Sequence, residues 1–328
     1  MIITRTPYRI SFFGGGTDYP QYYREHGGAV LNASINKYCY IYCRHLPPFF
    51  DHKFHVRYSK QEMVSEIDHI QHPSVRECLR FMDIDQGLEL THTGDIPAMS
   101  GIGSSSSFTV GMLKALHAFN GKMVNKRVLA YDAINIEQNM IGENVGSQDQ
   151  VAAAFGGFNK VDFGTDGTIL VNPVPLPQET LTELQESLML IFTGISRYSH
   201  DIADEQIKQT PRKISELTVM RDMVDSAVDI LNKGKDNLDE FGSLLHETWQ
   251  LKRSLTNKIS NSAIDDLYET ARKAGALGGK VCGAGGGGFV LLYVPKEKRA
   301  NVKKMLNGLL HVPFRFEQLG SHILHFSK

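Results

Sequence analysis

The sequence of 328 residues has few of the features that mark membrane-spanning, secreted or metal-binding proteins. Its four cysteines form neither a C-x-x-C pair nor the Cys/His spacing of a zinc site. We therefore expect free thiols that serve packing in a reducing compartment. The longest apolar runs, such as residues 289–294, fall far below the roughly 20 residues that cross a bilayer. The chain is not expected to span a membrane.

An excess of charge of one sign is also missing. The sequence has 35 Lys and Arg against 36 Asp and Glu, a net charge of -1. No overall field draws the chain to nucleic acid or to an anionic membrane, so we expect neither partner and predict that any phosphate is bound locally. Residues 1–5 lack the pattern of a signal peptide, which favours a cytoplasmic protein.

The first half of the sequence mixes strand and helix patterns. Apolar runs with β-branched and aromatic residues predict strands at 9–13, 29–43 and 88–92. Helical spacing of apolar residues predicts a helix that begins just before Phe108, and a second helix near 129–141. The segment 52–55, with two histidines, is interpreted as a surface loop.

The second half begins after a predicted hairpin. Asp166 and Gly167 tolerate the positive φ of a tight turn between strands at 161–163 and 168–171. Three alternating prolines at 173–177 then favour a connection between domains, with a boundary near residue 180. Strands at 188–192 and 289–294, helices between 199 and 274, a helix at 296–310 and two short terminal strands predict an α+β second domain.

Three glycine-rich segments suggest ligand-binding loops, and the first is residues 97–107. It ends in Gly101-Ile102-Gly103 and four serines, directly before the predicted helix. Free N–H groups and the positive end of a helix dipole favour an anion there, and the hydroxyls offer oxygen ligands to Mg²⁺. The alternative is an ordinary helix cap followed by solvated serines.

The second segment, residues 280–288, contains G-x-G-x-x-G at Gly283, Gly285 and Gly288. A dinucleotide fingerprint leaves a strand and enters a helix, whereas these glycines precede a strand. This order argues against a Rossmann site, although a dinucleotide oxidoreductase stays as a third alternative, and neither loop matches a P-loop. The third segment, Gly14 to Asp18, is a tight turn or a ligand loop.

Two carboxylates are candidates for chemistry. Asp149 precedes a small apolar stretch, where it is either functional or a helix cap. Glu137 lies on the apolar face of its predicted helix, where a carboxylate needs a cation, unless it is a boundary residue that reaches solvent.

The three glycine segments, in this order, resemble the motifs of the GHMP kinase superfamily, the kinases of galactose, homoserine, mevalonate and phosphomevalonate. Residues 5–18 match its first motif, residues 97–107 its P-x-x-x-G-L-G-S-S-A-A motif and residues 280–288 its K-x-x-G-A-G-x-G-G motif. The resemblance implies an α+β fold with two domains, a ribosomal-protein-S5-domain-2-like domain at 1–180 and a ferredoxin-like domain at 181–328. ATP and substrate would bind in the cleft between them.

The resemblance also implies site residues. Asp149 would be the catalytic base and Arg9 its basic partner, while Ser105 and Glu137 would hold Mg²⁺. Glu137 lies twelve residues before Asp149, one more than in mevalonate kinase. The implied nucleotide site comprises Gly101, Ile102, Gly103, Ser104, Ser105, Ser106, Gly283, Gly285 and Gly286. The implied substrate site comprises Gly15, Gly16, Thr17, Asp18 and Arg197.

Within the superfamily, the substrate is expected to be a sugar phosphate. Galactokinases carry Glu and His where this sequence has Gly15 and Gly16, so galactose fits poorly. The first motif and the segments 25–30, 142–150 and 193–197 look most like heptose 7-phosphate kinases, which phosphorylate the anomeric hydroxyl. Lys37, Lys252 and Arg197 are candidates for the distal phosphate. The alternatives are a kinase of an unphosphorylated sugar such as fucose, or a sensor that binds without turnover. A homodimer is left open.

Overall fold

A computed structural model describes residues 1–195 and 199–327, and the side chains of residues 199 and 200 are outside that description. Within this part of the chain the strands form two sheets. The larger sheet contains β1 Ile2–Phe13, β2 Gly28–His45, β3 Phe54–Arg57, β4 Gln61–Val64, β5 Leu88–Gly94, β6 Phe158–Phe163, β7 Ile169–Pro173 and β12 His322–Phe326. The smaller sheet contains β8 Leu188–Phe192, β9 Gly278–Val281, β10 Phe289–Tyr293 and β11 Leu310–Val312.

Helices cover both sheets and connect their strands. They are α1 Pro20–His26, α2 Pro73–Phe81, α3 Ser104–Phe119, α4 Lys126–Asn135, α5 Gln148–Phe155, α6 Gln178–Ser187, α7 Ser199–Gln209, α8 Ile214–Asn232, α9 Leu238–Leu255, α10 Ser262–Ala274 and α11 Arg299–Met305. A π-helical turn, Ile136–Ile141, continues α4. Among the described residues, no helix combines the length and apolar character that a bilayer crossing requires.

The larger sheet has the order β12-β1-β2-β5-β3-β4, and β6 pairs with the first part of β2 and with β7. In the antiparallel pair β1 and β2, Arg9 lies opposite Ser34 and Ser11 opposite Asn32. Residues directly opposite each other share one face of a sheet. These four side chains therefore form a polar row, and the Ser34 hydroxyl donates to the Ala152 carbonyl of α5 at 3.2 Å. The row lies beneath α5.

The smaller sheet is antiparallel, with the order β11-β8-β10-β9, and α9 packs against β9. One core beside it holds Trp249, Tyr268 and, from β10, Val290 and Leu292. The chain then returns to the larger sheet, where β12 pairs with β1. The helices and mixed sheets confirm the α+β prediction, whereas the domain boundary near residue 180 stays a prediction.

Most predicted elements are confirmed, including the hairpin, in which Phe163 lies opposite Ile169. The four cysteines are free and buried, as expected. The loop predicted at 52–55 is wrong, because Phe54 begins β3 and is 1% exposed. The helix predicted at 296–310 is shorter, since α11 ends at Met305.

Candidate active site

The loop before α3 makes the tight turn that its glycines permit. Gly101 and Gly103 have φ values of 78° and 76°, and Gly103 caps the helix that begins at Ser104. Helix geometry leaves the first N–H groups of α3 without an acceptor within the helix, beside the positive end of the helix dipole. These are the features of an anion site, and phosphate binding there stays a prediction.

The four serines at the start of α3 divide into two pairs. The Ser106 hydroxyl donates to Glu137 Oε2 at 2.8 Å, and the Ser107 hydroxyl donates to the Pro7 carbonyl at 2.9 Å. Ser104 is half-buried and Ser105 is exposed. Two hydroxyls therefore join α3 to its surroundings, and the other two are available to a ligand.

The glycine loop between β9 and β10 packs directly against this first loop. A methyl group on Gly101 would lie 2.5 Å from the Cys282 carbonyl oxygen, and one on Gly288 would lie 2.2 Å from the Ser100 carbonyl oxygen. Such distances leave no room for side chains. The two loops thus meet backbone to backbone. The later loop connects two antiparallel strands, which excludes the dinucleotide fingerprint.

Arg9 and Asp149 form a bidentate ion pair beside these loops. Arg9 Nε donates to Asp149 Oδ1 and Nη2 donates to Oδ2, both at 2.8 Å. Arg9 Nη1 also donates to the Gly101 carbonyl at 2.9 Å, and the Arg9 backbone N–H donates to that of Ile102 at 3.1 Å. Arg9 is 3% exposed and the Asp149 side chain 26%. One buried guanidinium therefore aligns a partly open carboxylate with the glycine loop before α3.

Glu137 is fully buried, so the interpretation that it reaches solvent is wrong. Burial raises its pKa from 4.5 to about 7, against the opposing effect of hydrogen bonds that include those from Ser106 and Gln150. Its Oε1 atom has no partner among the described residues. Because a π-helical turn holds one residue more than an α-helical turn, we attribute the long spacing between Glu137 and Asp149 to the turn at Ile136–Ile141.

The loop that contains Gly14, Gly15 and Gly16 is connected to the residues just before α5 by contacts of Asp18. Gly16 N–H donates to Asp18 Oδ1 at 2.9 Å, and Ser147 N–H donates to the Asp18 carbonyl at 2.9 Å. A methyl group on Gly146 would lie 1.9 Å from Asp18 Oδ2. Burial raises the pKa of Asp18. The Thr17 hydroxyl is already bound to the carbonyls of Gly14 and Ala29.

Two buried lysines add positive charge to the same cleft. Lys280 Nζ donates to the Phe12 carbonyl at 3.1 Å, and Lys252 Nζ donates to the Gly283 carbonyl. Burial lowers the pKa of Lys252 to about 8 and that of Lys280 well below its ordinary value. Both lysines lie near enough to Arg9 for its charge to lower their pKa values further.

The structure brings most of the predicted site residues together, but not all can be placed. Arg197 lies outside the described residues. No role was predicted for Lys280, although it is the lysine of the K-x-x-G-A-G-x-G-G motif at residues 280–288. Ser11, Asn32 and Gln148 were also missed, and no local sequence signal could have found them, since their importance comes from strand pairing and burial. The hydroxyl that contacts Glu137 belongs to Ser106. The role of Ser105 as a metal ligand stays a prediction.

Comparisons with known proteins agree with this geometry. Residues 71–157 match the GHMP kinases N terminal domain, and residues 228–311 match the GHMP kinases C terminal domain. A D-glycero-alpha-D-manno-heptose 7-phosphate kinase of Campylobacter jejuni is 32% identical over 93% of each chain. An L-fucokinase/L-fucose-1-P guanylyltransferase of Bacteroides fragilis is 27% identical over 91% of this chain and 35% of its own length.

Solved structures give the same result. The crystal structure of a D-glycero-D-manno-heptose 1-phosphate kinase from Bacteriodes thetaiotaomicron has a TM-score of 0.80 and 25% identity, with all of both chains covered. A mevalonate kinase at 20% identity has a TM-score of 0.72 over 97% of this chain and 100% of its own, which shows the shared fold. The two-domain fold is thereby confirmed. Matching domains in both halves, a relative of nearly equal length and the shared fold all lead to one conclusion: this chain belongs to the GHMP kinase family and is an ATP-dependent kinase.

Proposed function

We propose that the chain phosphorylates the anomeric hydroxyl of D-glycero-D-manno-heptose 7-phosphate and produces the 1,7-bisphosphate. The chemistry is supported by the contacts that Arg9 makes with both Asp149, the proposed base, and the loop before α3. Arg9 bonds both Asp149 and the Gly101 carbonyl, and a methyl group on Gly103 would lie 3.6 Å from Asp149 Oδ2. The choice of sugar rests on similarity to the heptose 7-phosphate kinase of Campylobacter jejuni.

In the proposed reaction Asp149 accepts the proton of the attacking hydroxyl. The hydroxyl oxygen forms a bond to the γ-phosphorus of ATP, the bond from that phosphorus to the β–γ bridging oxygen breaks, and ADP leaves. Each Asp149 oxygen accepts one hydrogen bond from Arg9, which fixes the carboxylate plane and leaves lone pairs for the proton. The Arg9 charge offsets the negative charge of the transferring group.

The nucleotide triphosphate is proposed to lie along the Gly101–Ser106 loop. Backbone N–H groups at the start of α3 would donate to its phosphate oxygens, and the loop at 283–288 would bound the cleft from the other sheet. A side chain on either loop would separate the two backbones, so glycine is required at their contacts.

The residues around Glu137 fit Mg²⁺. A fully buried carboxylate with one unpartnered oxygen is a hard oxygen ligand that lacks a counter-charge. Glu137 and a serine hydroxyl at the start of α3 would hold the ion, which supplies charge neutralisation to the phosphates when bound. Among the described residues no group of three or more His, Cys, Asp or Glu could hold a metal. Mg²⁺ commonly keeps several waters and substrate phosphates as ligands, so it needs only one or two ligands from the protein.

The product would serve as a precursor of nucleotide-activated heptose for surface polysaccharide. A coupled ADP-release assay over a sugar panel tests the substrate, with ³¹P NMR to locate the new phosphate. We expect strong preference for heptose 7-phosphate over heptose, fucose and galactose. Equal use of fucose would contradict the proposed substrate and would favour a kinase of unphosphorylated sugars.

A further inference from the structure

Three polar side chains converge on the open side of Gly15. A methyl group on Gly15 would lie 3.7 Å from Ser11 Oγ, 3.8 Å from Gln148 Nε2 and 3.9 Å from Lys280 Nζ. These atoms come from β1, α5 and β9, so both sheets contribute to the space. Gln148 directly precedes Asp149 in α5, and the charge of Arg9, the partner of Asp149, acts on Lys280, so the space belongs to the same cleft as the proposed base.

Polar atoms around this space are buried without partners. Among the described residues, Ser11 Oγ, Gln148 Oε1 and both amide atoms of Asn32 have no hydrogen bond. Ser11 is 3%, Asn32 0% and Gln148 8% exposed. Asn32 lies opposite Ser11 in the strand pair and therefore on the same face. Since buried polar groups in folded proteins are nearly always hydrogen-bonded, we expect water or a polar group of a ligand to bind this cluster.

The charge around the space favours an anionic partner. Lys280 has three N–H donors, and its only hydrogen bond in the described part of the chain is the one to the Phe12 carbonyl. Lys252 and Arg9 are also buried in this cleft, against the carboxylates of Asp18 and Asp149. Three basic groups therefore face two carboxylates in this cleft, and a bound phosphate would favour the protonated form of each lysine.

Gly15 itself is not required by the backbone. Its neighbours Gly14 and Gly16 have φ values of 78° and 116°, whereas Gly15 is absent from the described residues of positive φ. A methyl group there meets no atom closer than 3.7 Å, which is ordinary van der Waals contact. The fold would accept a side chain at this position, so the absence of one keeps the polar space open.

We propose that Lys280, Ser11 and Gln148 bind the distal phosphate of the sugar phosphate and thereby select a phosphorylated sugar. This inference rests on the proposed function, since it locates one end of the same substrate. The attacking hydroxyl then points toward Asp149 while the distal phosphate occupies the space beside Gly15.

Steady-state kinetics with two acceptors test the proposal. Heptose 7-phosphate and unphosphorylated heptose are compared in the wild type and in Lys280→Met, at saturating ATP. Because a hydrogen bond to a charged group is strong, we expect the ratio of kcat/KM for heptose 7-phosphate to kcat/KM for heptose to fall roughly 10²-fold in Lys280→Met, mainly through a higher KM for heptose 7-phosphate. The KM for ATP should not change.

Two further variants distinguish a loss of phosphate binding from a folding defect. Gly15→Ala places a methyl group among the three polar atoms without backbone strain, so it should raise the KM for heptose 7-phosphate and leave the thermal unfolding midpoint unchanged. Lys114→Met is the matched control, because Lys114 is a partly buried lysine of α3 that donates to the Val124 carbonyl at 3.2 Å. It should leave both acceptors unaffected.

Each outcome has one meaning. A wild type that does not turn over heptose 7-phosphate refutes the proposed function, and the inference with it. A wild type that does, while Lys280→Met and Gly15→Ala lose both acceptors equally or neither, overturns the inference alone. A rise in the KM for ATP in Lys280→Met would assign the lysine to the nucleotide phosphates instead.

Discussion

The two carboxylates nearest the start of α3 lie in opposite environments. Asp149 is held by two hydrogen bonds from Arg9, and 26% of its side chain is exposed. Glu137 is 0% exposed, and its hydrogen-bond donors are neutral side chains such as Ser106 and Gln150. Within residues 1–195 and 199–327 the first carboxylate has a cation beside it, whereas the second has none.

This difference assigns the two groups to different tasks. A carboxylate aligned by a guanidinium and open to a cleft can accept a proton from a bound hydroxyl. A buried carboxylate without a counter-charge is stabilised by a cation from outside, and until one binds, burial keeps its pKa at about 7. The comparison predicts that each substitution affects one task and spares the other.

The largest effect is expected from Asp149→Asn. The amide cannot accept the proton, so kcat should fall by roughly 10²–10⁴ while nucleotide affinity, measured by titration calorimetry, stays within about threefold of wild type. A near-normal kcat would show that Asp149 is not the base.

Glu137→Gln should remove a dependence of stability on pH. The folded-state pKa of about 7 lies above the ordinary 4.5, so the folded state binds more protons in this window and wild-type stability falls as pH rises from 4.5 to 7. Between pH 5 and pH 8 the loss should be about 2–3 kcal/mol. Urea unfolding at pH 5 and pH 8 without Mg²⁺ should show this loss in the wild type and not in the variant. Equal losses in both proteins would contradict the assignment.

Arg9→Met should destabilise the protein by roughly 2–3 kcal/mol, which is less than for a fully buried pair because Asp149 is 26% exposed. Arg9→Lys is the matched control, since it keeps the positive charge but not the planar guanidinium that donates to both carboxylate oxygens of Asp149. We expect the lysine variant to regain most of the stability but little of the kcat. Unfolding curves and initial rates measure both. Full activity in Arg9→Lys would show that charge alone suffices.

The smallest effects should separate the neighbouring serines. Ser106→Ala removes a donor to Glu137 and should lower the free energy of unfolding by about 1 kcal/mol. Ser105→Ala should leave stability unchanged, because Ser105 is exposed, and should weaken Mg²⁺-dependent ATP binding if Ser105 is the predicted ligand. The reverse pattern in ATP binding would make Ser106 the ligand.

Much of the fold could be predicted because its signals are local. The apolar, β-branched and aromatic residues along 29–43, the Asp-Gly turn and the glycines before α3 each depend on a few consecutive residues. The strand at 54–57 was missed because two histidines in a short segment are typical of a loop, and its pairing with β4 and β5 identifies it.

The site was predictable only in part, for the same reason. The sequence by itself determined the order of its motifs and the glycines that allow two loops to touch, because these depend on residue type and spacing. The choice of Asp149 as the base came from the resemblance and stays a prediction. Only the tertiary structure decided that Ser106 contacts Glu137 and that Lys280 reaches β1. Those contacts join residues 31 and 268 positions apart, and which of them form depends on how the sheets and helices pack.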